Sequence, residues 1–217
     1  MATTNAERQY LPAAGRDAFL PLYDPFTRLF GIDSLRMSLL DQAGLQPHHR
    51  VLDVGCGTGS LAVLIKRLYP TVEVSGVYPD PKALARAERK ARRADVSVRF
   101  HRGFADALPY PGLTFDRVFS SLMFHHIPRS DREQSLREIR RVLRPGGRLE
   151  LLDLANPDAH SHSLLGRLIH SHGQMSDNLD ERILELMTSA GFERPTRVND
   201  RGLLFGRVAF FQAIAHA

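Results

Sequence analysis

A chain of 217 residues, 43% of them apolar and 24% charged, suits one globular domain with a full core. Cys56 is the single cysteine, which excludes an internal disulfide, and no apolar run approaches the ~20 residues of a membrane span. The net charge of +5 raises nucleic acid or an anionic surface as a partner, but the basic residues gather at 82–93 and 129–144, which read as amphipathic helices with solvated outer faces and no interleaved aromatics.

Neither nucleic acid nor membrane is therefore an expected partner. The polar start, Met1 to Arg8, has no apolar signal core, so the cytoplasm is the expected compartment. In chain order, residues 1–16 carry little pattern, and 17–45 carry a helical rhythm at Leu35, Leu39, Leu40 and Ala43, closed by Gly44 and Pro47. A first strand at 51–54 leads into a helix at 60–69, and a β-branched second strand follows at 72–77. Asp80-Pro81 caps the next helix. Strands at 96–101 and 115–121 precede a helix at 131–143 and a fifth strand at 148–154. Residues 156–178 fit neither periodicity and read as an insertion. A helix at 180–190 ends at Gly191, and two strands, 196–199 and 204–213, are expected to flank a loop around 200–202. The alternation of strand and helix predicts a parallel sheet with helices on both faces.

Residues 51–59 read Val-Leu-Asp-Val-Gly-Cys-Gly-Thr-Gly. This is a buried strand that stops, turns on alternate glycines and starts a helix whose first N–H groups are free. Such a turn at the carboxyl end of a parallel sheet suits a nucleoside-bearing ligand.

Further segments follow in order: Gly76-Val77-Tyr78-Pro79-Asp80-Pro81, Gly103-Phe104-Ala105-Asp106-Ala107-Leu108-Pro109-Tyr110, Phe115-Asp116-Arg117-Val118 running into Ser120-Ser121-Leu122-Met123-Phe124-His125-His126-Ile127, and Leu143-Arg144-Pro145-Gly146-Gly147. Together with 51–59 they resemble the motifs of the class I S-adenosylmethionine (SAM) methyltransferases, and in wording the small-molecule enzymes of ubiquinone and menaquinone biosynthesis. The resemblance implies an α/β, Rossmann-like class I methyltransferase fold. That fold has a mostly parallel seven-stranded sheet, a C-terminal antiparallel hairpin and helices on both faces. It implies a single SAM-dependent methyltransferase domain over 1–217, with 1–45 as a helical lid and 156–178 as an insertion over the substrate pocket. The cofactor is then SAM, the product S-adenosylhomocysteine, and the acceptor a small molecule methylated by in-line displacement.

The resemblance also implies site residues. Asp53 holds the turn and accepts from the cofactor ammonium, Gly55 and Gly57 admit its backbone, and Cys56 is a small residue beneath it rather than a nucleophile. Tyr78, Pro79 and Ser120 flank it. Ala105 offers its N–H and Asp106 its carboxylate to the adenine. Tyr23, in the lid, lies near the carboxypropyl chain or anchors the lid. Two positions depart from the family pattern. Tyr78 stands where a ribose-binding carboxylate is usual, with Asp80 two residues on suited better to capping a helix. Phe104 replaces an acidic residue and can pack on the adenine face.

His125 and His126 close the fourth strand, where substrate-facing groups belong, and either can serve as a general base; the alternative is a polar ring packed under the next helix. His170 and His172, with His160 and His162, form two His-x-His pairs. Their surroundings read helical, where i and i+2 diverge, so no metal is expected; His170 and His172 are candidates for lining the substrate pocket, with a surface position as the alternative.

Gly57-x-Gly59-x-x-Ala62 also fits a dinucleotide fingerprint, but Asp53 and the C-terminal hairpin argue against a nicotinamide dehydrogenase. The stronger rival is a methyltransferase homologue that binds SAM or S-adenosylhomocysteine with non-methylating or altered-cofactor activity, motivated by Tyr78. The absence of an Asp/Asn-Pro-Pro-aromatic motif points away from nucleic-acid amines. Carbon, oxygen and nitrogen acceptors stay open, as does the oligomeric state.

Overall fold

The computed structural model describes residues 32–155, 179–203 and 206–216. Tyr23 and most of the expected lid, and the expected insertion with His170 and His172, lie outside the described residues. The described elements are α1 (Ile32–Ala43), β1 (Arg50–Val54), α2 (Ser60–Leu68), β2 (Glu73–Tyr78), α3 (Pro81–Arg93), β3 (Arg99–Arg102), β4 (Phe115–Ser121), a 3-10 turn (Phe124–His126), α4 (Arg129–Val142), β5 (Leu143–Ala155), α5 (Leu179–Ser189), β6 (Glu193–Leu203) and β7 (Gly206–Ile214). The strands form one seven-stranded sheet in the order β3-β2-β1-β4-β5-β7-β6. The first five pair in parallel, and β7 runs antiparallel to both β5 and β6.

Alternation along the strands builds two cores. Leu52, Val118, Leu149, Leu151 and Phe211 meet Leu136 and Ile139 of α4 and Ile183 and Met187 of α5. Val51, Val74, Phe119, Leu152 and Phe210 meet Leu35, Leu39 and Leu40 of α1 and Leu61 and Ile65 of α2. Because both faces of β1 are covered, its sequence is a nearly continuous apolar run.

Several boundaries differ from the sequence expectation, four of them for a reason visible in the pairing. β5 starts at Leu143 rather than 148, since Leu143 pairs with Phe115 and the ladder then shifts register. The Pro-Gly-Gly segment is held there by main-chain bonds from Gly146 N to Ala215 O (2.7 Å) and Ala215 N to Gly147 O (2.8 Å). The hairpin loop is not at 200–202: Asp200, Arg201 and Gly202 pair with Ala209, Val208 and Arg207. Polar residues that suggest a turn are tolerated there because β6 is an edge strand; a register shift between Glu193 and Thr196 absorbs Pro195, and a second falls between Arg197 and Asn199. β3 is shorter than expected, since Arg99–Arg102 are the residues that find partners on β2. β2 runs on to Tyr78 because Tyr78 pairs with Arg102.

Candidate active site

The carboxyl ends of β1, β2 and β4 open onto a cavity of about 400 Å³, within the range of small-molecule sites. It lies where the strand order reverses between β1 and β4, the switch point of a doubly wound sheet. After Val54 the chain folds back so that Gly55 N and Cys56 N both donate to Val77 O, at 2.9 and 3.1 Å. Gly55 has φ +78°, and a Cβ there would lie 2.1 Å from Met123 Cγ. The glycine thus makes room for a protein side chain at the cavity wall. Gly57 also has positive φ, but its Cβ position faces open space.

Asp53, Gly55, Cys56, Gly57, Tyr78, Pro79, Phe104, Ala105, Asp106 and His126 all line this cavity. Asp53 is 2% exposed, and its Oδ2 has no hydrogen-bond partner among the described residues. Burial pushes its carboxyl up to about 7, although the Arg36 guanidinium and the Ala62 N–H, in the first turn of α2, pull the other way. Cys56 is buried, and its thiol is pushed well up by burial and by the Asp53 charge, which favours the protonated thiol over the reactive thiolate. Tyr78 packs with Cys56, Ala83 and Leu84, presenting a phenol where β2 ends. The nearby Asp80 is committed elsewhere: its Oδ1 accepts from Lys82 N at 2.8 Å as the N-cap of α3.

Ser120 is not at the cavity. Side chains alternate along β4, so Ser120 turns into the protein, fully buried and with its Oγ unpartnered, while Ser121, Leu122 and Met123 form the wall.

The 3-10 turn brings His125 and His126 together, with ring centroids 4.0 Å apart. They take different places: His126 lines the cavity and His125 does not. His125 Nδ1 lies 2.6 Å from Asp153 Oδ1, and Asp153 Oδ2 accepts from Phe124 N (2.7 Å) and His125 N (3.2 Å). Burial alone would raise Asp153 and lower His125. Their mutual attraction overcomes it, holding Asp153 below the carboxylate range and His125 above the imidazole range. His126 is pushed down to about 4, first by burial and then by the His125 charge.

Two residues here escaped the sequence reading. Asp153 sits in an apolar strand, and its signal was a lone carboxylate in the run Leu151-Leu152-Asp153-Leu154. Arg36 lines the cavity, and its signal was an arginine inside the apolar stripe of α1.

A family described as Methyltransferase domain matches residues 51–147. The chain is 33% identical over 210 residues to a demethylmenaquinone methyltransferase of Deinococcus radiodurans, covering 86% of this chain and 85% of the relative. It belongs to the class I SAM-dependent methyltransferases. A second demethylmenaquinone methyltransferase, from Thermus thermophilus, is 39% identical over 151 residues, covering 68% of each chain. Among solved structures, a Haemonchus contortus phosphoethanolamine N-methyltransferase in complex with S-adenosylhomocysteine shares the fold at TM-score 0.68 and 18% identity, covering 85% of this chain and 53% of that one. This methyltransferase therefore uses SAM and yields S-adenosylhomocysteine, and the Rossmann-like fold and mostly parallel sheet read from the sequence hold. No described helix of the methyltransferase is long and apolar enough to cross a membrane.

Proposed function

We propose that this methyltransferase methylates oxygen or ring carbon of a small hydroxylated aromatic acceptor seated against His126. The observation that carries the reading is the cavity-lining ring of His126, depressed to about 4 and therefore neutral at physiological pH. The residues present fit the cofactor. The buried, unpartnered Asp53 Oδ2 suits an ammonium, Gly57 leaves the loop open, and Tyr78, Pro79 and Phe104 offer a largely apolar wall for the adenosyl group. Ala105 and Asp106 stand beside Phe104 to meet the adenine edge, with Gly55 and Cys56 beneath.

SAM supplies an electrophilic methyl on a sulfonium. The protein's own work is alignment, exclusion of water and removal of one proton. With SAM held by Asp53 and the β1 turn, the sulfonium would give up its methyl to the acceptor and leave as a neutral thioether, and His126 would take the proton that the acceptor oxygen or carbon releases. As the new bond forms, the proton on that oxygen or carbon becomes strongly acidic, so a weak base suffices. An ammonium acceptor would have to lose its proton first, to a stronger base than His126. That ordering favours oxygen or carbon over nitrogen. The activity for which the Deinococcus and Thermus relatives are named, methylation of demethylmenaquinone, supports the same acceptor class.

The test is transfer of labelled methyl from SAM to a reduced short-chain demethylmenaquinone, simple naphthols and simple amines. Hydroxy-aromatics should be methylated and amines left alone. His126→Gln should lower kcat by about 10²-fold while the Kd for SAM holds. Methylation of amines alone would overturn the reading.

A further inference from the structure

We propose that cofactor recognition in this chain is carried by a two-charge clamp on the amino-acid end, Arg36 for the carboxylate and Asp53 for the ammonium, and is nearly indifferent to the ribose hydroxyls. The inference rests on the cofactor reading above and goes beyond it in assigning Arg36 and in ranking the two ends of the ligand.

Arg36 reaches the cavity from α1, with 9% of the residue exposed. Its Nη1 is tied to Asp33 Oδ1 at 2.9 Å, which fixes the plane of the guanidinium. Its Nε is buried without a hydrogen-bond partner. Asp53, on the same cavity, has an unpartnered oxygen in the same condition. The two are close enough for Arg36 to act on the Asp53 carboxyl, yet no hydrogen bond between them accounts for either orphaned atom. A buried polar atom left unsatisfied is costly, so an orphaned Nε and an orphaned carboxylate oxygen in residues that line one cavity are an expensive arrangement. A ligand bearing an ammonium and a carboxylate on one carbon satisfies both at once. Charge-assisted bonds to such groups are about twice as strong as neutral ones.

The cavity wall at the end of β2 is differently made. β2 ends in Tyr78, followed by Pro79, with Ala83 behind. Asp80, the carboxylate nearest in sequence, is 5% exposed and spends Oδ1 on the α3 cap. A phenol in that place cannot take two hydroxyls with paired charge-assisted bonds, as a carboxylate does.

The experiment is calorimetric titration of the full-length protein with four probes: S-adenosylhomocysteine, its 2′-deoxy and 3′-deoxy analogues, and its decarboxylated analogue. Both deoxy compounds should bind within about threefold of the parent, and the decarboxylated compound about 30-fold more weakly. Arg36→Gln should weaken S-adenosylhomocysteine by about 30-fold but the decarboxylated compound by less than threefold, which separates a direct contact from a structural role. The decarboxylated probe on the unaltered protein decides the Arg36 assignment even if that variant fails to fold. Deoxy analogues more than about tenfold weaker, or equal losses for both ligands in Arg36→Gln, would overturn the clamp while leaving the cofactor in place. No binding of S-adenosylhomocysteine itself would overturn the cofactor reading and the clamp with it.

Discussion

At the scale of single residues, two titrating groups face the cavity with opposite consequences for pH. Asp53 titrates at about 7 in the folded chain against 3.8 for an ordinary carboxyl. Its protonated form is favoured by the fold, so that contribution to stability is full below 3.8 and is lost as pH rises through about 7. The ligand-free protein should therefore lose roughly 2–4 kcal/mol between pH 5 and 9 from this group, and Asp53→Asn should flatten that part of the urea-denaturation profile. The same carboxylate must be ionised to hold an ammonium, so S-adenosylhomocysteine affinity should fall as pH drops below about 7, and calorimetry in buffers of different ionisation heat should record proton release on binding. His126 behaves the other way. Its folded value of about 4 lies below the ordinary 6.5, so it contributes stability above 6.5 that is lost as pH falls toward 4. With saturating SAM, kcat should hold flat down to about pH 5, which stopped assays across a pH series would check. The places of Asp53 and of the His125-His126 pair were legible because a dense motif fixes them, but not which of the two histidines lines the cavity. Arg36 and Asp153 were not, since a charge within an apolar pattern reads as an interruption until its partners are known. Ser120 was misplaced by a single residue, which on a strand is the difference between two faces.

At the scale of elements, the turn from β1 into α2 and the cap of α3 carry separable loads. Gly55→Ala meets both a positive φ and a contact of 2.1 Å with Met123, so it should cost more than about 2 kcal/mol. Adding Met123→Gly, which removes both the Cγ and the Cβ that a side chain at 55 would meet, should relieve the clash and leave the backbone strain of about 1–2 kcal/mol, read from urea midpoints. Asp80→Ala removes an N-cap bond of 2.8 Å and should cost about 1 kcal/mol without weakening S-adenosylhomocysteine. A loss of affinity in that variant would instead make Asp80 a ligand contact. The parallel elements were readable because β1 is a nearly continuous apolar run, β4 carries the motif segment Phe115-Asp116-Arg117-Val118, and α3 is amphipathic with a Pro at its first position. The hairpin loop was not, because Asn199-Asp200-Arg201-Gly202 has the composition of a turn and only pairing with β7 keeps it extended.

At the scale of the molecule, neighbouring residues of β7 serve different cores. Phe210 faces α1 and α2, and Phe211 faces α4 and α5; both are fully buried. Truncating either to alanine should cost about 3–5 kcal/mol. Because β1, β4 and β5 contribute to both layers, each variant should still unfold in one transition by circular dichroism and fluorescence alike. β7 also lies inside the sheet, between β5 and β6, although it is the last of the described strands to be synthesised. During translation the edge of β5 stays bare until residues 206–214 have left the ribosome, so a nascent chain shorter than this carries an open, apolar strand edge. The interval in which the chain most needs a chaperone is thus set by the arrival of β7, long after the residues of the β1 turn have emerged.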